Sequence, residues 1–268
     1  MNLLRLNGNG AQRETDALAE EEPLEIRARG RAISVTMRTP GHDAELAAGF
    51  LLTEGLIRCA SDVVRIDPCD RNEFGNVINV VLAPEIAIDF GQLTRHVFAA
   101  SSCGLCGKAS IETIRQKLPR IALTDLPSVS REIISGLPRI MQAAQQGFAQ
   151  TGGVHAAALF DERGNLLVLR EDVGRHNAVD KVLGHALIAG WLPLSRHVLL
   201  VSGRSSFEIM QKALAGGVPI VAAVSAPSAL AVRFAIESGQ TLIGFLRENR
   251  MNIYSGPQRI GFAESEAI

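Results

Sequence analysis

Two cysteines lie three residues apart in a glycine-flanked stretch, Ser-Ser-Cys-Gly-Leu-Cys-Gly-Lys, at residues 101–108. The run that follows, residues 108–118, has apolar side chains at helical spacing. The stretch therefore predicts a loop that opens a helix. Free backbone N–H groups at a helix N-terminus, with Lys108 beside them, favour a thiolate over a thiol. We interpret Cys103 and Cys106 as reactive sulfurs.

Other roles for this Cys-x-x-Cys pair stay open at this point. One alternative is that the pair forms half of a zinc site. The two remaining cysteines, Cys59 and Cys69, are a poor second half, because they lie ten residues apart and form no second Cys-x-x-Cys motif. A thioredoxin-type redox pair is another, and it requires a matching fold around it. Inert buried cysteines are the third, but the polar, glycine-rich surroundings argue against burial.

The second half of the chain has three turns rich in groups that bind anions. The first contains Gly203, Arg204 and Ser205, between an apolar strand and a predicted helix. In an open parallel sheet, ligands bind at the carboxyl ends of the strands, and a helix N-terminus there offers free N–H groups to a phosphate. Arg204 adds a planar fork that holds a phosphate through two bonds. The alternative is a plain capped helix with an exposed arginine.

The second turn, residues 171–177, is dense in side chains with defined donors or acceptors. Asp172, Arg175 and His176 lie there between a strand and a helix, and His155 approaches them if the preceding hairpin forms. The density of such residues predicts a binding site. A hydrogen-bonded turn network is the alternative, because a lone histidine is more often part of such a network than a catalyst.

The third turn, residues 245–250, leaves the last apolar strand. Arg247 and Arg250 flank it, and Phe245 offers an apolar or stacking surface. A guanine ring can stack on such a surface while an arginine reaches a phosphate. A solvated surface loop is the alternative for this segment.

The elements that position these turns follow from periodicity. The first half predicts a strand hairpin, a helix capped by Asp43, two further strands, and an irregular segment at residues 119–136. The next helix is predicted to begin near Pro138. The corresponding ranges are residues 24–28 and 32–37 for the hairpin, 44–54 for the helix, and 63–66 and 77–82 for the strands.

The second half alternates short apolar strands with helices, which predicts a parallel sheet covered on both faces. Capping boxes are predicted at Asn177 with Asp180 and at Ser205 with Glu208, and Pro227 is placed in the first turn of the last helix. The predicted ranges are a hairpin at 154–160 and 166–169, a helix at 178–188, and strands at 197–201, 219–224 and 241–246.

Composition limits the class of protein. The chain has 268 residues, 47% hydrophobic and 21% charged, with a formal net charge of −1. These values are typical of a soluble globular protein and do not favour nucleic-acid binding. We expect no signal peptide, no membrane span and a cytoplasmic location, where a structural disulfide is not expected. The predicted organisation is a loose tail at 1–22, an α+β part at 23–136 and an α/β cofactor-binding domain at 137–268.

A set of motifs in a fixed order resembles the FdhD family, over about residues 23–260. These are Gly49-Phe-Leu-Leu-Thr-Glu-Gly55, the Cys-x-x-Cys stretch at 101–107, Gly152-Gly-Val-His155, Glu171-Asp-Val-Gly-Arg-His-Asn-Ala-Val-Asp-Lys181, Ser202-Gly-Arg-Ser205 and Phe245-x-Arg-x-x-Arg250. Each motif alone is modest, but the ordered set is specific.

The resemblance implies an accessory sulfurtransferase for formate dehydrogenase. Such a protein accepts sulfur from a cysteine desulfurase as a persulfide and passes it to the bis-molybdopterin guanine dinucleotide form of the molybdenum cofactor. It also implies a cytoplasmic homodimer with a cytidine-deaminase-like α/β fold, a mixed or parallel sheet covered by helices, that lacks the zinc site of the deaminases. Carried over, Cys103 is the persulfide carrier and Cys106 an accessory thiol.

The resemblance further identifies the third turn as the cofactor-binding stretch: Phe245, Leu246, Arg247, Glu248, Asn249 and Arg250. GDP is a probe of this site because it resembles the nucleotide end of the cargo. Two other functions stay open: a thiol–disulfide oxidoreductase, and a non-catalytic carrier of the molybdenum cofactor whose Cys-x-x-Cys pair binds zinc.

Overall fold

The computed structural model describes residues 1–8, 10–69, 75–88, 120–121 and 128–262. The Cys-x-x-Cys loop at 101–108 and the helix predicted to follow it lie outside the described residues.

The first residues form a β-hairpin, whereas the sequence analysis expected a loose tail. Strands β1 (Asn2–Asn7) and β2 (Gly10–Thr15) pair with each other in an antiparallel two-stranded sheet. The turn between them begins with Asn7 and Gly8, and Gly8 has a positive φ of 57°. An Asn-Gly pair between two strands is a strong hairpin signal. The sequence analysis overlooked this signal because the segment is polar overall.

A four-stranded sheet confirms the strands predicted in the first half. Its order is β4-β3-β6-β5, with β3 and β6 parallel and the other pairs antiparallel. The strands are β3 (Glu22–Ala28), β4 (Arg31–Arg38), β5 (Val63–Pro68) and β6 (Val77–Leu82).

Helix α1 (Asp43–Thr53) is also confirmed, but its predicted cap is wrong. His42 occupies the N-cap position with a positive φ of 58° and no side-chain cap. Asp43 is the first helical residue, and both its oxygens accept hydrogen bonds of 2.9 Å from the guanidinium of Arg38. Because the carboxylate of Asp43 is engaged in this ion pair with the buried Arg38, it does not cap the helix.

A six-stranded mixed sheet forms the second half, in the order β12-β11-β10-β9-β7-β8. Strands β9, β10 and β11 are parallel, and β7, β8 and β12 pair antiparallel with their neighbours. A mixed α/β fold is therefore confirmed, while the cytidine-deaminase-like label stays a prediction. The strands are β7 (His155–Asp161), β8 (Leu166–Asp172), β9 (His197–Val201), β10 (Ile220–Ala223), β11 (Thr241–Arg247) and β12 (Arg250–Ser255).

Within the described residues, five further helices accompany this sheet, and several begin where the sequence analysis did not place them. They are α2 (Arg131–Ala144), α3 (Gln146–Thr151), α4 (Arg175–Ile188), α5 (Phe207–Ala215) and α6 (Ala229–Ser238). Ser130 caps α2 through its bond from the amide of Ile133, so Pro138 lies inside the helix rather than at its start. The capping residues of α5 and α6 are Ser206 and Ser228, so the predicted Ser205 cap is wrong by one residue and Pro227 precedes its helix.

The predicted capping box at Asn177 is wrong as well. Helix α4 begins at Arg175, three residues before the predicted start, with Gly174 as its N-cap. Its supposed partner, Asp180, is buried instead and accepts bonds from Nζ of Lys212 (2.8 and 2.9 Å) and from the hydroxyl of Thr53 (2.8 Å). Because Lys212 also bonds Thr53 at 2.9 Å, this group joins α1, α4 and α5 and fixes the direction in which α5 meets the sheet.

Alternating side chains of the six-stranded sheet enter two apolar cores. One face, represented by Leu159 and Leu199, packs with helices α1, α4, α5 and α6 and with the inner face of the four-stranded sheet. The other face, represented by Phe160 and Leu200, packs on α2. The helices α1 and α4 thus lie between the two sheets, and the larger core is shared by both halves of the chain.

The backbones of α1 and α4 touch where the two helices cross. A Cβ added to Gly49 would lie 1.8 Å from the carbonyl oxygen of Asp180, and one added to Gly184 would lie 1.8 Å from that of Glu45. No side chain fits at either position, so these glycines set the distance between the halves. The predicted division at residue 136 stays a prediction.

None of the helices in the described ranges combines the length and the apolar character needed to cross a membrane.

Candidate functional site at the carboxyl edge of the sheet

Four connections lie at one edge of the six-stranded sheet. Strands β8, β9, β10 and β11 all run in the same direction, because β8 and β9 both pair antiparallel with β7, and β9, β10 and β11 are parallel. The β8–α4, β9–α5 and β10–α6 loops and the β11–β12 turn therefore leave the same edge. This is the edge at which open α/β sheets bind ligands.

Hydrogen bonds join these connections to one another. The amide of Ser205 donates to the carbonyl of Ala226 (3.2 Å), and the amide of Ser228 donates back to Ser205 (3.0 Å). The amide of Phe245 donates to the carbonyl of Ser225 at 3.1 Å. The β10–α6 loop is thus the central support of the edge. The sequence analysis missed it, although a polar loop between a predicted apolar strand and a helix was the available signal.

His155, Gly203 and Arg175 come together here from three separate segments. A Cβ built on Gly203 would lie 3.4 Å from Nδ1 of His155 and 3.5 Å from Cδ of Arg175. His155 is the first residue of β7 and pairs with Asp172 at the end of β8. The predicted approach of His155 to the 171–177 turn is therefore confirmed by the hairpin geometry.

The surroundings of His155 keep its imidazole neutral. Burial is the largest cause that lowers its pKa below the usual value, followed by the positive charges of Arg175 and His176, while Asp172 acts in the opposite direction. At neutral pH the ring can therefore both donate and accept one hydrogen bond. Nε of Arg175 is buried and has no hydrogen-bond partner among the described residues.

The carboxylate of Asp172 holds the β8–α4 loop in place through hydrogen bonds. Its side chain is fully buried, and Oδ1 accepts from the amide of Gly174 (2.8 Å) and from Nδ2 of Asn177 (3.0 Å). Oδ2 accepts from the amide of Thr39 (3.2 Å) and pairs with Nζ of Lys181 at 2.8 Å. Four donors match the roughly four acceptor positions of a carboxylate, so the structure gives Asp172 a structural role. Direct ligand contact by Asp172 stays a prediction.

The same network ties the loop to the first half of the chain. Asn177 donates to the carbonyl of Met37 (2.7 Å), and Lys181 donates to the carbonyl of Thr39 (2.8 Å). The hydroxyl of Thr39 in turn accepts from the amide of Val173 at 3.0 Å. The segment between β4 and α1 therefore holds the site in place. Nothing in the local sequence around Thr39 indicated this role.

His176 links the N-termini of α4 and α5. Its Nε2 lies 2.8 Å from Oε2 of Glu208 and 3.3 Å from the hydroxyl of Ser206. The side chain therefore braces the two helix ends that carry free N–H groups toward the edge.

Arg204 and Ser205 have opposite environments. Arg204 is exposed, and its guanidinium forms no hydrogen bond or ion pair with any described residue, so it is free to bind an anion. Ser205 is fully buried, and its hydroxyl lacks a partner within the described ranges. An unpaired buried hydroxyl is costly, and such groups concentrate where a ligand or water completes the site.

The β11–β12 hairpin carries the third predicted segment. Phe245 has a positive φ of 51°, and the strand register shifts between Gly244 and Arg247. A left-handed conformation at an aromatic residue is uncommon and is found preferentially at functional sites. The distortion ends the regular ladder directly before the tip.

The six residues of this segment divide by environment. Leu246 is fully buried and its side chain packs in the core. The guanidinium of Arg247 donates to the carbonyls of Val224 (2.6 Å) and Leu246 (2.9 Å), which holds the hairpin on the β10–α6 loop. Arg247 is nevertheless exposed, as are the three residues that follow it, Glu248, Asn249 and Arg250.

The predicted persulfide carrier, Cys103, and the accessory thiol, Cys106, lie outside the described residues. The other two cysteines are free thiols. Sγ of Cys59 lies 3.1 Å from the hydroxyl of Ser61 and 3.3 Å from Oδ1 of Asp62, at the start of a 3₁₀ turn.

Fold and site together define a mixed α/β protein in which helix N-termini, arginines and a distorted hairpin converge at one edge of the sheet. Comparison with known proteins narrows the class. The sequence model described as the FdhD/NarQ family matches residues 19–261. The chain belongs to this family, as the motifs in its sequence indicated.

Individual relatives cover almost the whole chain. It is 50% identical to the sulfur carrier protein FdhD of Streptomyces avermitilis, over 99% of this chain and 96% of the relative. It is 52% identical to that of Mycolicibacterium paratuberculosis, over 92% of each. A crystal structure described as a formate dehydrogenase accessory protein from Desulfotalea psychrophila matches with a TM-score of 0.80 and 27% identity, over 97% and 98% of the two chains.

Proposed function

We propose that this protein is a sulfur carrier for formate dehydrogenase. It accepts sulfur from a cysteine desulfurase on Cys103 and passes it to the bis-molybdopterin guanine dinucleotide form of the molybdenum cofactor. In this proposal the protein acts as a cytoplasmic homodimer, with Cys106 as an accessory thiol. The family and the names of its members support this function.

The observation that carries the binding half of the proposal is the convergence of exposed and unsatisfied polar groups at one edge. Arg204 has no partner among described residues, Nε of Arg175 and the hydroxyl of Ser205 are unsatisfied, and Gly203 brings the backbone close to His155 and Arg175. Groups of this kind suit a phosphorylated nucleotide, because phosphate oxygens accept bonds from arginine forks and from helix N-termini.

The loading step is a thiol exchange that balances without an external oxidant. The thiolate of Cys103 attacks the outer sulfur of the persulfide on the desulfurase. A new S–S bond forms on Cys103, the old S–S bond breaks, and the desulfurase cysteine leaves as a thiolate. A glycine-flanked thiolate beside a lysine is a suitable acceptor for this exchange.

Intact mass spectrometry tests the loading step. After incubation with a cysteine desulfurase and cysteine, the protein should gain about 32 Da per sulfur, and dithiothreitol should remove the gain. Cys103→Ala should abolish it, whereas Cys59→Ala should load normally. Wild-type loading of the Cys103→Ala protein would contradict the assignment. About one zinc per chain, lost on Cys103→Ser, would instead favour the zinc-bound carrier, and reduction of insulin would favour the oxidoreductase.

Titration with GDP tests the binding half. Arg204→Ala removes a charge-assisted contact worth roughly 1.5–3 kcal/mol, so affinity should fall about tenfold or more. Arg58→Ala is the matched control, because Arg58 is exposed next to the four-stranded sheet and away from the edge. Equal affinity of wild-type and Arg204→Ala proteins would argue against this edge as the nucleotide site.

A further inference from the structure

Two arginines among the described residues are buried, Arg38 and Arg259, at 3% and 2% exposure. The guanidinium of Arg38 holds a carboxylate side-on, because its Nε and Nη2 each donate to one oxygen of Asp43, both at 2.9 Å. Its Nη1 donates to Glu22 at 3.0 Å. Two carboxylates therefore balance the charge of Arg38, as burial of a charge requires.

Arg259 has the same side-on edge but no carboxylate on it. The residue lies in the 3₁₀ turn Pro257–Ile260, which follows β12. Its Nε and Nη2 atoms are buried and have no hydrogen-bond partner within the described ranges. Burial lowers the pKa of Arg259 to about 10, so the side chain stays positively charged at neutral pH. A buried charge without a counter-ion is costly, and this distinguishes Arg259 from Arg38.

The third nitrogen, Nη1, fixes the direction of this guanidinium. It donates to the hydroxyl of Thr241 at 3.0 Å, and that hydroxyl donates in turn to the carbonyl of Gly256 at 2.8 Å. A Cβ on Gly256 would lie 2.4 Å from Oγ1 of Thr241 and 3.0 Å from Nη1 of Arg259, so a side chain there would displace the pair. The unpaired edge of Arg259 is thus oriented before any partner binds.

The surroundings of Arg259 place it away from the carboxyl edge. Its carbonyl accepts from the amide of Val129 at 2.8 Å, directly before α2. Thr241 begins β11, whereas the hairpin tip lies at the other end of that strand. Oε1 of Gln258, in the same turn as Arg259, is also buried and unpaired among described residues. A bound ion or water is a common explanation of such unsatisfied groups.

We propose that Arg259 binds a small oxyanion side-on, through two parallel hydrogen bonds from Nε and Nη2. The ligand class follows from Arg38, whose equivalent edge is occupied by the two oxygens of a carboxylate. Carboxylate, sulfate and phosphate ions all present two oxygens to such a fork. The bound ion balances the buried charge and stabilises the junction between β11, β12 and the start of α2. This proposal is independent of sulfur loading and of nucleotide binding.

NMR spectroscopy of the full-length chain, dialysed free of oxyanions, tests the site. Titration with sodium sulfate or sodium formate should shift the Nε–H resonance of Arg259 in a saturable way, whereas sodium chloride at equal ionic strength should not. The Nε–H resonance of Arg38 is the internal control. It should not move, because Asp43 already occupies its edge. Arg204→Ala should leave the response of Arg259 unchanged, which separates this site from the carboxyl edge.

Arg259→Lys separates the fork from the charge. Lysine keeps the positive charge but cannot donate two parallel hydrogen bonds from a planar group. A ligand that binds only the folded state raises the unfolding temperature, so sulfate should stabilise the wild-type chain. The sulfate concentration that gives half of this stabilisation should rise about tenfold in Arg259→Lys, as expected for loss of a charge-assisted contact.

Three results would overturn the proposal. No response of the Arg259 resonance to either oxyanion would show that its edge is closed, by water or by a carboxylate from outside the described ranges. A chloride response equal to that of sulfate would show a site that senses charge without side-on recognition. Equal sulfate stabilisation of the wild-type and Arg259→Lys proteins would show only the general salt effect on burial. If Arg259→Lys does not fold, the wild-type titration with its Arg38 control decides.

Discussion

Replacing Asp172 by asparagine separates a structural from a ligand-binding role for this residue. The carboxylate and its partner Lys181 are fully buried, at 0% and 1% exposure. The single amide oxygen of asparagine can accept hydrogen bonds from two of the four donors. Its NH₂ group would face the remaining two donors, with which it cannot form hydrogen bonds. Removing one partner of a buried ion pair costs about 3–5 kcal/mol because the remaining charge is uncompensated. We therefore expect Asp172→Asn to lower the free energy of unfolding by about this amount.

Urea denaturation followed by circular dichroism measures the change, with GDP affinity determined on the same protein under native conditions. Asp161→Asn is the matched control. The carboxylate of Asp161 also accepts three hydrogen bonds, from the amides of Arg163 and Asn165 and from Nδ2 of Asn165, but it lies in a surface turn with no lysine paired to it. Its replacement should cost no more than about 1.5 kcal/mol, the net value of an ordinary hydrogen bond.

The folded Asp172→Asn protein should retain GDP affinity within about threefold, which corresponds to less than 1 kcal/mol. Unfolding like that of the wild type, together with a loss of GDP binding, would refute the structural reasoning. It would show that the carboxylate faces the ligand.

Two further predictions concern the helix crossing and the titration of His155. Gly184→Ala places a Cβ 1.8 Å from the carbonyl oxygen of Glu45, so we expect the free energy of unfolding to fall by about 3 kcal/mol or more. The control Gly136→Ala should raise the free energy of unfolding by about 0.5–1 kcal/mol. Equal urea midpoints for the two variants would contradict close contact between the backbones of α1 and α4. The pKa of His155 is lowered, first by burial and then by Arg175 and His176, so the folded state resists its protonation and stability should fall as the pH drops below the unfolded value of about 6.5. Arg175→Ala should raise the NMR titration midpoint of His155 and make this fall shallower, and an unchanged midpoint would contradict the assignment of cause.

Strands were predictable from this sequence because their signals are local. Strands β6 and β9 have the predicted bounds, residues 77–82 and 197–201, since a continuous apolar run between turn residues leaves few alternatives. β12 was not predicted. It begins at Arg250, the last residue of the segment predicted to bind the cofactor, and lies at one edge of the sheet.

Helix starts were less predictable because capping signals are short and occur by chance. Asn177 has the residue type and the spacing of a cap, yet its amide group bonds Met37 and Asp172 across the boundary between the two halves. The preference for asparagine at caps is a local effect of about 1 kcal/mol, and a contact between segments 140 residues apart in sequence overrides it. Thr39 was missed for the same reason, because only the fold brings it to the β8–α4 loop that it supports.

Arg247 and Arg250 show why a motif does not reveal the division of roles within a site. In sequence they are equivalent, three residues apart on either side of a turn, and in the structure they pair directly across it. Arg247 turns its fork onto two backbone carbonyls and thereby fixes the hairpin to the β10–α6 loop. Arg250 makes no such contact with described residues and lines a groove between helix α2 and the hairpin. A guanidinium that saturates carbonyls positions the backbone, and one that is left free is available to a phosphate. The hairpin therefore uses its two arginines for different purposes, one to fix its position and one that is left exposed at its tip.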